Sequence, residues 1–251
     1  MAQVIAIINQ KGGVGKSTTA QALSSGLYLK GYRTLAIDLD SQSNLTYSTG
    51  AISSGVTSLS ILTGTPAEQA IQQTSSGDII ASHKGLASAN VLLTDTGKEY
   101  RLRESLSGIY DKYDYIIIDT PPALSILTIN ALTASTGAII PAQADIYSLQ
   151  GIEQLGETIE TIKKYTNKDL TTEGILLTRY NPRSILSREI LSLAQKLAER
   201  LHTKVFKTTI REGIAIKEAQ ISQENIFKYA PKAKVTEDYL AFVDEFLQGK
   251  E

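Results

Sequence analysis

Two lysines stand five positions apart in a glycine-rich segment near the start of the chain, NQKGGVGKSTT (residues 9–19). Glycines let backbone N–H groups approach phosphate oxygens, and a helix that begins after such a loop points the positive end of its dipole at them. Gly15, Lys16 and Ser17 fill the last three positions of the phosphate-binding pattern G-x-x-x-x-G-K-[ST]. Gln10 stands where that pattern has its first glycine. The pattern predicts that Lys16 bridges the β- and γ-phosphates of a nucleotide and that the Ser17 hydroxyl binds Mg²⁺.

Carboxylates end two other apolar runs. Asp119 closes the run YIIID. An acid at this place usually holds the magnesium ion indirectly, through the groups that bind the ion. Asp38 and Asp40 stand two positions apart in AIDLDSQSN (residues 36–44). Asp40 is a candidate to orient or deprotonate an attacking water at the carboxyl edge of the sheet. The sequence leaves open whether Asp38 is a structural acid or part of the metal shell.

Short β-branched runs and segments of helical periodicity alternate along the chain. The apolar runs predict strands at residues 3–8, 33–39, 114–119, 137–141 and 173–178, with a short one near 203–207. Helical spacing predicts helices at residues 16–30, 66–73, 99–112, 149–165, 184–202 and 235–248. This order predicts an α/β fold with a mostly parallel, twisted sheet covered by helices on both faces. No linker or repeat is visible, so residues 1–251 are predicted to form a single domain.

The composition excludes several kinds of site. The chain has no cysteine, which excludes disulfides, thiolate zinc sites and cysteine-bound iron–sulfur clusters. His83 and His202 are the only histidines, and neither has a metal-ligand partner at suitable spacing. The sequence shows neither a signal peptide nor an apolar stretch of the roughly 18 residues that a membrane span needs, so we expect a cytoplasmic protein.

A strongly basic stretch lies within a nearly neutral chain. The net charge is −1, but residues 163–234 carry 15 Lys and Arg against 7 Asp and Glu, an excess of 8 positive charges. Such a stretch indicates an anionic partner or a solvated lysine-rich surface, and the charge count alone does not separate the two.

Three segments, KGGVGKST, DLDSQSN and YDYIIIDTPPALSILTINAL, resemble the ParA-type partition ATPases of the deviant Walker A family, which also contains the MinD-type cell-division ATPases. The resemblance continues through GIEQL (151–155) and EGILLTRY (173–180), and so covers nearly the whole chain. It implies a single-domain P-loop NTPase that hydrolyses ATP with Mg²⁺. Because the chain starts at the first predicted strand, we expect the small form, without an N-terminal helix-turn-helix domain.

The resemblance also gives a role to Lys11, the lysine outside the phosphate-binding pattern. In this family the first lysine of the loop, here Lys11, reaches across a nucleotide-sandwich homodimer to the partner's phosphates, where a cation stabilises developing charge. Gly12 then lies where the two subunits meet. The implied catalytic residues are Lys11, Lys16 and Asp40, and the implied metal-shell residues are Ser17, Asp38 and Asp119. The implied ATP-binding residues are Lys11, Gly12, Gly13, Val14, Gly15, Lys16, Ser17, Thr18, Thr178, Tyr180 and Arg211.

The family also implies a function on DNA. Small partition ATPases bind DNA without sequence preference as ATP-bound dimers, and a ParB-type centromere-binding protein stimulates slow hydrolysis and releases them. The resemblance therefore implies a nucleoid-associated segregation switch. The basic stretch supplies the candidate DNA contacts, which are Arg183, Arg188, Lys204, Lys207, Lys228, Lys232 and Lys234.

The chain departs from its family where relatives tend to read IPRNVRLSEA and this sequence reads IREGIAIKEA (210–219). Glu212 and Ala215 replace arginines that serve DNA binding, and Arg211 replaces a proline near the adenine. Two alternatives therefore stay open. One is a MinD-like positioning ATPase on a membrane or protein scaffold, although the acidic, amphipathic C-terminal helix disfavours a membrane. The other is a metabolic ligase or reductase, for which no motif is visible.

Overall fold

A seven-stranded sheet forms the centre of the molecule. The computed structural model describes residues 2–250, and describes residues 146, 147 and 150 by their backbone alone. The strands are β1 (Gln3–Ile7), β2 (Thr34–Asp38), β3 (Ile71–Thr74), β4 (Gly77–Ile80), β5 (Tyr115–Asp119), β6 (Gly137–Gln143) and β7 (Thr171–Thr178). Their order is β3-β4-β2-β5-β1-β6-β7, and every neighbouring pair is parallel except β3 with β4. The α/β class and the mostly parallel sheet are thus confirmed.

Helices cover both faces of this sheet. They are α1 (Lys16–Leu29), α2 (Asn44–Ser48), α3 (Ser58–Leu62), α4 (Ala89–Leu92), α5 (Arg101–Leu106), α6 (Ile126–Ala134), α7 (Ile146–Tyr165), α8 (Ile185–Arg200), α9 (Ile214–Ile221), α10 (Ile226–Tyr229) and α11 (Lys234–Gln248). Val4 and Ala6 of β1 belong to the core completed by α3 to α8, whereas Ile5 and Ile7 belong to the core completed by α1, α2 and α9 to α11. Because successive strand side chains point to opposite faces, an uninterrupted apolar strand needs cover on both sides.

The carboxyl ends of three neighbouring strands meet in register. Ile7 of β1 and Asp38 of β2 both lie opposite Asp119 of β5. This pairing brings the acids that end β2 and β5 beside the glycine-rich loop that follows β1. The acids and the glycine-rich loop therefore converge at the sheet edge where open parallel sheets bind ligands.

The outer edge of the sheet differs from the sequence prediction. The helix predicted near residues 66–73 is a 3-10 turn at Ala67–Ala70 followed by β3, and the sequence patterns do not predict β4. β3 and β4 have four residues each and turn tightly at Gly77, where φ is 108°. A hairpin this short, with a mostly polar outer strand, carries too little alternation for its period to be recognised.

Two other predicted elements differ from those in the structure. The helix predicted at 99–112 is broken, with α5 between 3-10 turns at Lys98–Tyr100 and Tyr110–Lys112. The strand predicted near 203–207 contributes only an isolated bridge to β7. The sequence patterns also miss α6, because eight of its nine residues are buried and it shows no polar face to set a helical period.

The C-terminal helix α11 packs its apolar side within the domain. Phe242, Val243 and Phe246 are buried, and the Phe242 ring meets Phe206 edge to face with ring centroids 5.0 Å apart. Within residues 2–250, no helix combines the length and apolar character needed to cross a bilayer.

Candidate active site

The loop after β1 forms a cradle with open space in front of it. Gly13 and Gly15 have φ values of 75° and 93°, in the left-handed region that glycine adopts without strain. α1 begins at Lys16, directly after Gly15. Apart from chain neighbours, no described atom lies within 4 Å of a Cβ built on Gly12 or Gly13. Phosphate groups can therefore approach the backbone N–H groups of the loop.

Lys16 lies beneath this space. The residue is 6% exposed, and its Nζ donates to the Lys11 carbonyl at 3.2 Å. Burial lowers the pKa of Lys16, while the nearby carboxylates of Asp119 and Asp40 oppose that shift. An ammonium group has three donors, so hydrogens remain for the oxygens of a bound phosphate.

Asp119 fits a magnesium site behind Ser17. The residue is fully buried, and neither carboxylate oxygen has a hydrogen-bond partner among the described residues. Burial raises the pKa of Asp119 well above its usual value and Asp38 adds to this, whereas the nearby Ser17 hydroxyl and Lys16 lower it. A buried carboxylate without a partner is costly unless a cation compensates it. Magnesium held by the Ser17 hydroxyl and the nucleotide phosphates would supply that cation.

Asp38 and Asp40 differ in what their carboxylates hold. Asp38 Oδ1 accepts from Asp40 N at 3.0 Å, and its Oδ2 accepts from Thr46 N at 2.8 Å and Thr46 Oγ1 at 2.7 Å. Burial raises the pKa of Asp38 to about 6 although the Thr46 hydrogen bonds lower it. Asp38 therefore anchors the segment after β2, and its place in a metal shell stays a prediction. Asp40 lines the groove in front of the loop, and its Oδ1 accepts from Gln42 N at 3.0 Å.

Lys11 is turned away from the groove of its own subunit. Its Nζ lies 2.7 Å from Asp145 Oδ2 and 3.3 Å from Ser148 Oγ, at the start of α7. Asp145 also caps α7 by accepting from Ser148 N at 2.9 Å. Partial burial raises the pKa of Asp145, but the hydrogen bonds from Lys11 and Ser148 outweigh it, so the net pKa is lowered. Lys11 is thus held by an ion pair within its own chain.

Two cavities meet above the start of α1. The first, the phosphate groove, has a volume of about 630 Å³. Its lining residues are Gly12, Gly13, Gly15, Lys16, Ser17, Thr18, Asp40, Gln42, Asn44, Tyr47, Pro122, Arg179, Lys217, Gln220 and Ile221. The second, the base cavity, has about 120 Å³. It is lined by Val14, Gly15, Thr18, Thr178, Arg179, Ile210, Arg211, Glu212, Gly213, Ile216, Lys217, Gln220 and Tyr239. A nucleotide with its phosphates on the loop would place its base in this second cavity.

The structure brings Thr178 and Arg211 to the base cavity but leaves Tyr180 outside it. Thr178 Oγ1 donates to Val14 O at 2.8 Å, and Arg211 makes two hydrogen bonds of 2.7 Å to Asp238. Tyr180 is buried in the core on the α3 to α8 side. The physical reason is the left-handed backbone of residue 179, with φ 49°, which breaks the alternation that would put 178 and 180 on one face.

The seven predicted DNA contacts are all exposed, but they do not form one patch. Lys234 begins α11, whereas Lys204 Nζ lies 3.1 Å from a Cβ built on Gly249, just beyond the end of that helix. The 15 residues of α11 rise about 22 Å between them. Lys228 pairs with Glu224 at 2.6 Å. The predicted contacts therefore extend over at least the length of α11.

Sequence patterns missed several residues of this site. Asp145 and Ser148 show the spacing of a helix cap, but that spacing carries no sign that Lys11 binds there. Thr46, the partner of Asp38, and Gln220, whose Nε2 donates to Thr18 Oγ1 at 3.2 Å, depend on contacts between elements distant in sequence. No local signal could have found them.

A strand–glycine loop–helix unit with a buried lysine, a serine at the helix start and a partnerless aspartate behind it defines a P-loop ATPase. A family model described as AAA domain (AAA_31) matches residues 2–172. The sporulation initiation inhibitor protein Soj of Bacillus subtilis is 36% identical, with 98% of both chains covered. The chromosome partitioning protein ParA of Myxococcus xanthus is 34% identical over 98% of this chain and 88% of its own.

A solved structure with bound nucleotide has the same fold. The structure of cobyrinic acid a,c-diamide synthase from Mycobacterium smegmatis with bound ADP and magnesium superposes with a TM-score of 0.85 at 32% identity, covering 99% of this chain and 95% of the other. The chain belongs to the ParA-type ATPases of the AAA_31 family. It is an ATPase that uses ATP and Mg²⁺.

Proposed function

We propose that this ATPase is a DNA partition switch. In this proposal two ATP-bound subunits form a sandwich dimer in which each Lys11 binds the phosphates in its partner's groove. The dimer binds DNA without sequence preference, and hydrolysis stimulated by a ParB-type protein returns it to monomers. The relatives named for sporulation inhibition and chromosome partitioning, which match along nearly the whole chain, support this function.

The proposal rests above all on one observation, the position of Lys11. Its Nζ is bound by Asp145 and Ser148, whereas Lys16 lies under the loop and lines the groove. A lysine that served the nucleotide of its own subunit would point into the groove as Lys16 does. The position supports a role on a second subunit, which Lys11 can take up when it leaves Asp145.

The exchange of partners by Lys11 is energetically modest. The side chains of Lys11 and Asp145 are 33% and 31% exposed, and ion pairs open to water contribute about 0–1 kcal/mol. Bonds from Lys11 to phosphates in a dimer that excludes water are stronger, because the charge is larger and the surroundings less polar. ATP would therefore draw Lys11 away from Asp145, and ADP would do so less because it lacks the γ-phosphate.

The isolated protein should hydrolyse ATP slowly. Ser17 and Asp119 would hold Mg²⁺, which would neutralise charge on the phosphates. Asp40 lines the groove and is the candidate to orient the attacking water. Lys16, with Lys11 from the partner, would stabilise the transferred phosphoryl group. This is a sparse set, so we expect turnover well below the roughly 10 s⁻¹ of a median enzyme until a partner protein completes the site.

DNA contacts are proposed mainly at the carboxyl edge of the sheet. Arg183 follows β7 at this edge, and Arg188, whose Nη1 donates to Pro182 O at 3.1 Å, extends the same surface along α8. Lys204 lies near the far end of α11. Because one duplex contacts one face of a dimer, we expect Arg183 and Arg188 to matter more than Lys204.

Binding to random-sequence duplex DNA tests this function. The protein is titrated with ATP, ADP or no nucleotide across a salt series, beside Lys11→Ala and the control Lys163→Ala, a basic-stretch lysine paired with Glu160 on α7. We expect binding with ATP only, a logarithmic salt slope of about 0.9 per phosphate contacted, and loss in Lys11→Ala alone. A dimer that forms with ATP but does not bind DNA at low salt would contradict the DNA part of the proposal.

A protein scaffold in place of DNA is the second candidate, and the outer face of α9 favours it. Ile214 and Ile221 are 73% and 74% exposed and lie seven residues apart, so they share one side of the helix. An exposed apolar side suits a protein surface better than DNA phosphates. In the scaffold case Ile214→Asp, at the end of this side farther from the phosphate groove, would abolish positioning in cells but leave ATP-dependent dimerisation intact. In the DNA case the same variant would keep its DNA binding.

A further inference from the structure

The phosphate groove and the base cavity share a short seam. The residues common to both are Gly15, Thr18, Arg179, Lys217 and Gln220. A nucleotide with its phosphates on the loop and its base in the second cavity must cross this seam. The part that lies there joins the phosphate chain to the base, namely the α-phosphate and the ribose.

Arg179 occupies one wall of the seam in a costly conformation. Its φ is 49°, a left-handed backbone that glycine and asparagine adopt readily and other residues adopt with strain. The residues on either side are fixed, because Thr178 Oγ1 donates to Val14 O at 2.8 Å and Tyr180 N donates to Ile210 O at 3.0 Å. The backbone alone would be better served by glycine, so the arginine side chain needs another explanation.

Among the residues that the structure describes, the side chain of Arg179 has no fixed partner. Arg179 is exposed, and among the described residues its guanidinium makes neither a hydrogen bond nor an ion pair, in contrast to Arg211, which is bound by Asp238. Lys217 of α9, which lines both cavities as Arg179 does, is likewise exposed and without an ion-pair partner among the described residues. Gln220 Nε2 donates to Thr18 Oγ1 at 3.2 Å and so connects α9 to α1 across the seam. Two cations without an ion-pair partner among the described residues thus line the path of the nucleotide.

We propose that Arg179, assisted by Lys217, binds the α-phosphate of the nucleotide. Arginine presents several donors in one plane and matches phosphate oxygens well. The α-phosphate is common to ATP and ADP, so this contact raises the affinity for both to a similar degree. Arg179 then retains the nucleotide throughout the cycle, whereas Lys11 distinguishes ATP from ADP. The inference rests on ATP binding and does not depend on binding to DNA.

The test measures fluorescent ADP and a non-hydrolysable ATP analogue, with Mg²⁺ and without DNA, on Arg179→Asn. Asparagine accepts the left-handed backbone, so the melting temperature of the nucleotide-free protein should stay the same or rise. We expect Kd to increase about tenfold for both nucleotides, as loss of a charge-assisted hydrogen bond predicts. Lys217→Gln should increase both values about threefold. Arg179→Lys should recover part of the affinity, because it keeps the charge but not the fork of donors.

Two controls match the change in other parts of the molecule. His202→Asn relieves a left-handed residue, φ 51°, at the end of α8, and Lys196→Gln removes an exposed charge from the same helix. Both should leave the two Kd values unchanged. The proposal is overturned if Arg179→Asn binds both nucleotides as the wild type does. It is also overturned if only the ATP analogue loses affinity, which would place Arg179 at the γ-phosphate, or if Lys196→Gln loses as much.

Discussion

The two ends of the nucleotide site are built in different ways. At the phosphate end Lys16, Asp38 and Asp119 are almost wholly buried and are positioned by the ends of β1, β2 and β5. At the base end exposed side chains such as Arg179 and Glu212 line the cavity, on segments outside the central strands. Phosphate recognition is therefore part of the core, whereas the base and partner side can change without disturbing the fold.

The largest effect should come from the buried end. Lys16→Ala removes the ammonium group that would bind the phosphates, and it removes a cation that interacts with Asp119 and Asp40. We expect ATP affinity to fall roughly 100-fold or more, because several charge-assisted hydrogen bonds are lost together. Calorimetry on Lys16→Ala beside Lys11→Ala makes the comparison. Lys11→Ala should bind ATP within about twofold of the wild type as a monomer, because its Nζ lies outside its own groove. Equal losses in the two variants would break the distinction between the lysines.

Alanine substitution should destabilise the fold at a glycine in the core but leave stability almost unchanged at a glycine in the loop. A Cβ on Gly26 in α1 would lie 2.7 Å from Val243 Cγ2 of α11, so Gly26→Ala should destabilise the fold by about 1–3 kcal/mol despite the helix preference of alanine. Gly12→Ala meets no described atom within 4 Å and should change stability by less than about 0.5 kcal/mol. Urea unfolding measures both. Gly12→Ala should instead impair ATP-dependent dimerisation, seen by light scattering, and a normal dimer would place the subunit contact elsewhere.

The contact between α11 and residues 207 and 208 should make the stability of the fold depend on pH. Burial raises the pKa of Glu245, but hydrogen bonds from Thr208 N and Lys207 N outweigh it and the pKa is lowered. A carboxylate whose pKa is lower in the folded state stabilises the fold above the ordinary pKa, and this stability is lost as the pH falls through the folded value. Glu245→Gln should therefore cost about 1 kcal/mol at pH 7 and almost nothing near pH 3. Glu199→Gln, exposed on α8, is the control and should show no such convergence.

The smallest effect concerns the ion pair that holds Lys11. Asp145→Asn weakens this pair but can still accept a hydrogen bond from Ser148 N at the start of α7. Because the pair is partly exposed, we expect dimerisation at about threefold lower ATP concentration, measured by light scattering. Glu153→Gln breaks a different exposed pair on α7, with Arg200, and should not shift the curve. A shift toward higher ATP in Asp145→Asn would mean that Asp145 supports the dimer and does not restrain it.

The sequence predicted the buried end of the site well and the exposed end poorly. Strands β1, β2 and β5 are continuous apolar runs, so their ends, with Lys16, Asp38 and Asp119, could be located from local pattern. The Lys11–Asp145 pair joins residues 134 positions apart, and the conformation of residue 179 depends on neighbours fixed by other elements. Such features arise only when the elements pack, and no periodicity records them.

The most direct test of the account mixes two inactive variants. Lys11→Ala lacks the lysine given to the partner, and Asp40→Ala lacks the acid that serves its own groove. If Lys11 acts on the partner's nucleotide, each mixed dimer has one complete site, and an equal mixture should recover up to about one quarter of wild-type ATPase activity in a symmetric dimer. Cross-linking verifies that the mixed dimer forms. A mixed dimer that forms with ATP and hydrolyses none of it would contradict the account.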